Sequence, residues 1–225
     1  MKVIFIFLLV FLAFGHDLWV ERESKTLILR YGHLMPKKEE ESLIKYDPNK
    51  VVVSECFNNA GEKVEAKISR SYPFRVEGEC AVLYVVFSSG YWTKSADGTK
   101  NLPKDKVPGA IESWLSYESL KSIQRWAPTF SKPLTDDLEI VPLEDPFSLP
   151  VGKKVSFMVL YKRKPMKDMT VLHNGKVVGV TDEEGKIRLK PKEGINIIST
   201  TLKEKGDGVK NDYILKTASL QFEVR

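Results

Sequence analysis

From residue 155 onward the chain is a succession of short β-branched or aromatic stretches cut by turn residues. That punctuation constrains the fold more than any other feature. Residues 155–161, 169–173, 177–181, 186–190, 195–201 and 219–224 each read as a short strand. Between the second and third stands Asn174-Gly175, a strong two-residue hairpin signal because both residue types accept positive φ. Residues 162–164 and the DEEG run at 182–185 are further turns. Short strands at this spacing predict an immunoglobulin-like sandwich over residues 141–225.

The first half is also strand-rich but less regular. Leu18, Val20 and residues 26–31 form two extended segments around the polar turn 21–25. Residues 51–56 are β-branched, and 64–69 alternate apolar with charged residues, as a half-buried strand does. The stretch CAVLYVVF at 80–87 is the most apolar after residue 15 and predicts a central strand. Residues 88–103 are rich in turn formers and read as a long loop. In it Tyr91 and Trp92 are a candidate wall for a binding site, or else pack beneath their own loop. Residues 110–126 supply the one helix expectation. Ile111, Trp114, Leu115, Leu120 and Ile123 fall roughly on one stripe, Pro108 and Gly109 precede it, and Pro128 follows. Pro128, Pro133, Pro142, Pro146 and Pro150 then mark a linker or edge. The expected fold class is therefore mainly β. Two β-sandwich-like modules, residues 16–140 and 141–225, are joined by a helix-containing connection, and the second module is Ig-like.

Residues 1–15 read as a cleaved signal peptide. Lys2 is the positive start, residues 3–12 are unbroken apolar, and Ala13-Phe14-Gly15 has small residues three places and one place before the expected cut. The apolar run is too short for a spanning helix, which needs roughly 20 residues. The alternative is an uncleaved anchor. A cut after Gly15 leaves an exported, periplasmic or extracellular chain that starts at His16. In an oxidising compartment the two cysteines, Cys56 and Cys80, are expected to form a disulfide; buried free thiols are the alternative. The formal net charge of +5 is spread over interleaved Lys and Glu. It lacks the clustered basic face with stacking aromatics of a nucleic-acid binder.

An N-terminal histidine offers two nitrogens from one residue, the α-amine and an imidazole nitrogen, and both can close a chelate ring. Neutral amine and imidazole suit the borderline ions Ni, Co, Cu and Zn more than Ca or Mg. Of the three histidines, His16 and His33 flank the first expected hairpin, so His33 can approach His16 and give a three-nitrogen brace. His173 is a third candidate ligand, although its place before Asn174-Gly175 equally suits a solvent-facing hairpin residue. Asp17 and Glu21 are nearby acids that either complete a shell or stand as surface charges. With three histidines, no nucleophile elbow and no phosphate-cradling glycine loop, no catalytic residues and no organic cofactor are expected.

HDLWVE at His16, YGH ending at His33, GYWTKSADGTKN from Gly90 and GKVVGVTDEEGKIRLK from Gly175 together resemble a family of exported proteins associated with nickel and cobalt uptake, long known only as a domain of unknown function. The resemblance covers nearly the whole chain after residue 15. It implies a β-rich protein with an Ig-like second half. It implies that His16 and His33 bind a divalent transition metal, nickel or cobalt ahead of copper or zinc, for delivery to a membrane transporter. Late histidines seen in some members have no counterpart here, since residues 203–213 contain none. The expectation is a metal-binding protein and not an enzyme. The alternatives are a copper histidine-brace protein, either a carrier or an oxidative polysaccharide-active enzyme, and an envelope interaction module in which the histidines are incidental.

Overall fold

The computed structural model describes residues 16–36, 41–148 and 152–224. The expected signal segment, residues 1–15, lies outside the described residues. In chain order the strands are β1 Asp17–Glu23, β2 Thr26–Gly32, β3 Val51–Phe57, β4 Lys63–Val64, β5 Lys67–Ser69, β6 Arg75–Glu77, β7 Val82–Ser95, β8 Gly98–Lys100, β9 Glu112–Ile123 and β10 Glu139–Pro142. They continue as β11 Val155–Tyr161, β12 Lys164–Pro165, β13 Thr170–His173, β14 Lys176–Val180, β15 Lys186–Leu189, β16 Gly194–Lys205 and β17 Tyr213–Val224. The protein is mainly β, and its sheets stack in a sandwich-like arrangement.

One long sheet, in the order β14-β13-β16-β17-β9-β7-β3-β4, is the spine. It takes strands from both sides of residue 140, because β17 runs parallel to β9 from Tyr213 opposite Trp114 to Gln221 opposite Ser122. The 140/141 division is therefore no break in the sheet. Two smaller sheets cover opposite faces of the spine. The sheet β1-β2-β6-β5 buries Leu18, Val20, Leu27, Leu29 and Val76 against Leu83, Val85, Phe87 and Leu120. The sheet built on β10, β11, β12 and β15 buries Ile140, Phe157 and Val159 against Tyr84, Ile123, Leu220 and Phe222. Apolar burial on both faces of the spine is the main stabilising term. The Cys56–Cys80 disulfide is formed, tying the end of β3 to the residue pair ahead of β7.

Two sequence expectations are corrected here. The helix at 110–126 is the strand β9. Its residues alternate between two covered faces: Leu120 packs under β1 and β2, while Ile123 packs toward β11. A strand buried on both sides shows no clean polar alternation, so its apolar positions can mimic a helical stripe. The loop expected at 88–103 is largely the continuation of β7 to Ser95 and its hairpin with β8. Gly90, at φ 87°, sits in the bulge that displaces the register between Ser88 and Gly90, which explains its turn-like local sequence.

Candidate metal centre

The first hairpin positions the site. β1 and β2 pair from Asp17 opposite Gly32 to Glu23 opposite Thr26, so the same register places His16 across from His33. The two imidazoles stand with ring centroids 5.0 Å apart at 66°. Tyr31, the next residue but one on β2, brings its ring to 5.1 Å from His16 and its hydroxyl to 3.1 Å from His16 Nδ1. Nδ1 is the imidazole nitrogen that can close a six-membered chelate ring with the α-amine of the same residue.

Gly32 explains why a glycine precedes this histidine. It sits at φ 149°, and a Cβ there would lie 2.3 Å from the backbone oxygen of Ser42. The chain at 42–44 folds directly over it: the His33 N–H donates to Ser42 O at 3.0 Å and the Ile44 N–H to Tyr31 O at 2.8 Å. The backbone of His33 is thus held by two strands' worth of chain.

Carboxylates gather behind the imidazoles. Asp17 accepts from the Leu34 N–H at 3.1 Å. Burial raises the Asp17 pKa, opposed by that hydrogen bond and by the charges of His33 and His16. Burial and then the charge of His33 lower the pKa of His16, while Asp17 opposes. Tyr31 packs on Phe87 of β7 at 5.2 Å, and Phe87 stands opposite Glu118 on β9. Burial, with the charge of Asp17 added, pushes the Glu118 carboxyl up to about 7. Burial and then Glu118 push the Tyr31 phenol up as well. Five ionisable side chains therefore meet where the small sheet ends and the spine continues. Among the described residues no group of three or more His, Cys, Asp or Glu side chains is placed to hold a metal ion. A third strong donor has to come from something other than those side chains.

Other candidates lie elsewhere. His173 is buried on β13, with Nε2 2.8 Å from Asn196 Oδ1, and β16 and β17 separate that strand from β9. Glu21 turns away to Arg30 at 2.8 Å. Trp92 stands opposite Trp114, on the same face of the spine as Glu118 but four residues along, roughly 13 Å at about 3.3 Å per residue. Its indole N–H donates to Ser89 Oγ at 3.0 Å. Tyr91, opposite Leu115, belongs to the other face. Glu118 is the residue sequence reasoning missed. In a helix it had no reason to face His16; in a strand it shares a face with Leu120, which packs beneath β1 and β2.

The position of Glu118 has a measurable consequence. Folded, it keeps its proton to about pH 7; unfolded, it loses it near 4.5. The native state binds the extra proton between those values, so this contribution to stability is present below about 4.5 and lost as pH rises toward 7. Glu118→Gln cannot ionise. The metal-free variant should be about 2 kcal/mol more stable than the parent at pH 8, after discount for partial exposure. That corresponds to a melting temperature roughly 4–8 °C higher, and the gap should close near pH 4.5. Thermal denaturation across that range checks it; an equal gap at both ends would assign the effect to packing instead.

The fold and the site define a mainly β protein with a histidine pair at the rim of a sheet-on-sheet interface. Residues 13–204 match the family described as a domain of unknown function, DUF4198, and the chain belongs to that family. That description names no metal and no transporter. No curated protein matches the chain. Among solved structures, the chain resembles the N-terminal four Ig domains of Dscam1 isoform 9.44 at 11% identity and a TM-score of 0.24, covering 94% of this chain and 41% of that one. A second, described as the structural basis for Dscam isoform specificity, matches at 10% identity and a TM-score of 0.22, covering 94% of this chain and 47% of that one. The chain thus spans less than half of either, and likenesses this loose carry no argument.

Proposed function

We propose that the protein is exported, begins at His16 after signal removal, and captures a transition metal ion, nickel or cobalt, for delivery to an uptake system. The observation that supports this most is the approach of His16 and His33 to 5.0 Å between ring centroids. The donors would be the His16 α-amine, His16 Nδ1 and a His33 nitrogen, with the Asp17 carboxylate beside them. Three neutral nitrogens fit Ni, Co, Cu and Zn and fit Ca or Mg poorly. The side chains alone fall short of a three-donor set, and the amine freed by proteolysis supplies the missing member. Metal capture would then be confined to the exported form, because before cleavage that nitrogen is an amide. The Tyr31 hydroxyl would yield Nδ1 to the ion.

Two measurements test this. Mass spectrometry of the exported protein should find His16 as the first residue. Titration of that protein with Ni(II) and Co(II), in competition with Cu(II) and Zn(II), should find one ion per chain. An exported chain that binds none of the four leaves the histidines incidental and favours an envelope interaction module.

A further inference from the structure

Edge strands expose unpaired backbone groups, and soluble proteins blunt them with charge, proline, brevity or cover. Most edges here follow that rule. Gln221 caps β1, accepting from the Val20 N–H at 2.8 Å and donating to the Val20 oxygen at 2.7 Å. β5 carries Lys67, β12 is Lys164-Pro165, and β15 carries Lys186 and Arg188. β4 is two residues long, with Lys63 paired to Glu55 at 2.6 Å. β10 is buried throughout.

The strand β14 is the least blunted: Lys176 opens it and a bulge interrupts it, but three valines follow the lysine. It is the terminal strand of the spine, with β13 on one side. Val177, Val178 and Val180 are 51%, 43% and 58% exposed. β-Branched residues favour a pleated, half-buried surface, and these three have the pleat without the burial. Charge brackets them: Lys176 opens the strand, and the exposed acids Asp182, Glu183 and Glu184 follow it, Glu183 lying 3.2 Å from Lys167 and Glu184 paired with Lys186. A segment that is basic at one end and acidic at the other is self-complementary when paired antiparallel with a copy of itself.

We propose that β14 is a self-association edge, through which two copies of this chain pair antiparallel about a two-fold axis. The valines of the two strands then shield one another. Lys176 of each copy meets the acidic turn at 182–184 of the other. A two-fold contact is isologous, so it closes at a dimer and does not propagate. The bulge between Val177 and Gly179 is present in both copies, so the two strands carry the same added twist. Because β13, β16 and β17 separate β14 from β9, the histidine pair stays open in the dimer, and the proposal does not depend on metal binding.

The test is sedimentation of the purified exported protein with a chelator present, which removes metal-bridged association. The contact is small, so a transient dimer with a dissociation constant of about 1–100 µM is expected. Val180→Lys should weaken it at least tenfold by setting like charges beside the axis. Lys176→Glu, an exposed change that leaves the circular dichroism unaltered, should weaken it too. Adding Glu183→Lys and Glu184→Lys to Lys176→Glu reverses the sign at both ends of the segment and should restore the dimer. A protein monomeric at 200 µM, or a dimer indifferent to both single substitutions, would overturn the proposal. So would a charge swap that fails to recover association.

Discussion

Lys121→Met should cost about 3–5 kcal/mol of folding stability, the scale for breaking a buried ion pair from one side. Lys121 on β9 and Glu139 on β10 are both almost wholly buried, 2% and 1% exposed, and meet at 2.8 Å. The carboxylate is otherwise fully engaged: it accepts from the Leu134 N–H, the Thr135 N–H at 2.9 Å and the Thr135 hydroxyl at 3.0 Å. Lys121 also reaches the Phe130 carbonyl at 3.4 Å. The pair therefore pins the proline-rich segment 128–135 onto the spine. Without the ammonium, a carboxylate is stranded in the core. Glu139→Gln should cost less, because burial already lowers the Lys121 pKa and the lone lysine can shed its proton. The double variant should cost clearly less than the two singles together, since it strands no charge. Denaturant unfolding of the four proteins measures this coupling; strict additivity would mean the pair contributes nothing as a pair.

The helix misreading of 110–126 and the invisibility of this ion pair have one cause. In a helix, a lysine at 121 would be expected to keep its ammonium in water. In β9 it shares a face with Ile123, opposite to Leu120, and both faces are packed. Those layers are the two small sheets, whose strands all lie outside residues 112–123. The second half was legible for the opposite reason. Its structure is punctuated locally: Asn174 and Gly175 adopt φ 48° and 72°, and Gly185 adopts 72°, as their residue types allow. β11 spans the expected residues 155–161, whereas β16 and β17 extend to Lys205 and back to Tyr213, through residues 202–205 and 213–218 where lysines interrupt the apolar pattern.

The candidate site divides the same way. His16, His33 and Tyr31 belong to one hairpin, whose register follows from a short turn and two apolar strands. Their meeting needs only local information. Asp17 comes with them. Glu118 reaches the site only once the small sheet has been laid on the spine, and nothing in residues 112–123 announces which of their side chains will lie beneath β1. Trp92 shows the converse: a residue read as a candidate site wall in a loop is a strand residue paired with Trp114, farther along the same face.

His16→Ala, in a form still cleaved after residue 15, should lower the affinity for Ni(II) by more than about 100-fold, beyond the 10–100-fold typical of losing an outer partner of a metal ligand. It should leave the melting temperature of the metal-free protein nearly unchanged, because His16 is exposed at the start of β1. A single glycine inserted ahead of His16 should do comparable harm. The imidazole survives that change, but its amine becomes a remote group and the six-membered ring is lost, which separates chelation from mere presence of histidine. Acid should act in the same sense. The α-amine has an ordinary pKa near 8, so below that value each pH unit costs tenfold in affinity. From pH 7 to pH 5 the amine alone removes about 100-fold, and protonation of imidazole near its ordinary pKa of 6.5 steepens the fall. Burial and the His33 charge lower the His16 pKa, so its ring sheds the competing proton at lower pH and its share of the fall begins lower. Tyr31, Asp17 and Glu118 are the other ionisable groups facing this corner. An affinity that is flat between pH 7 and pH 5, or untouched by the inserted glycine, is incompatible with an amine in the coordination sphere.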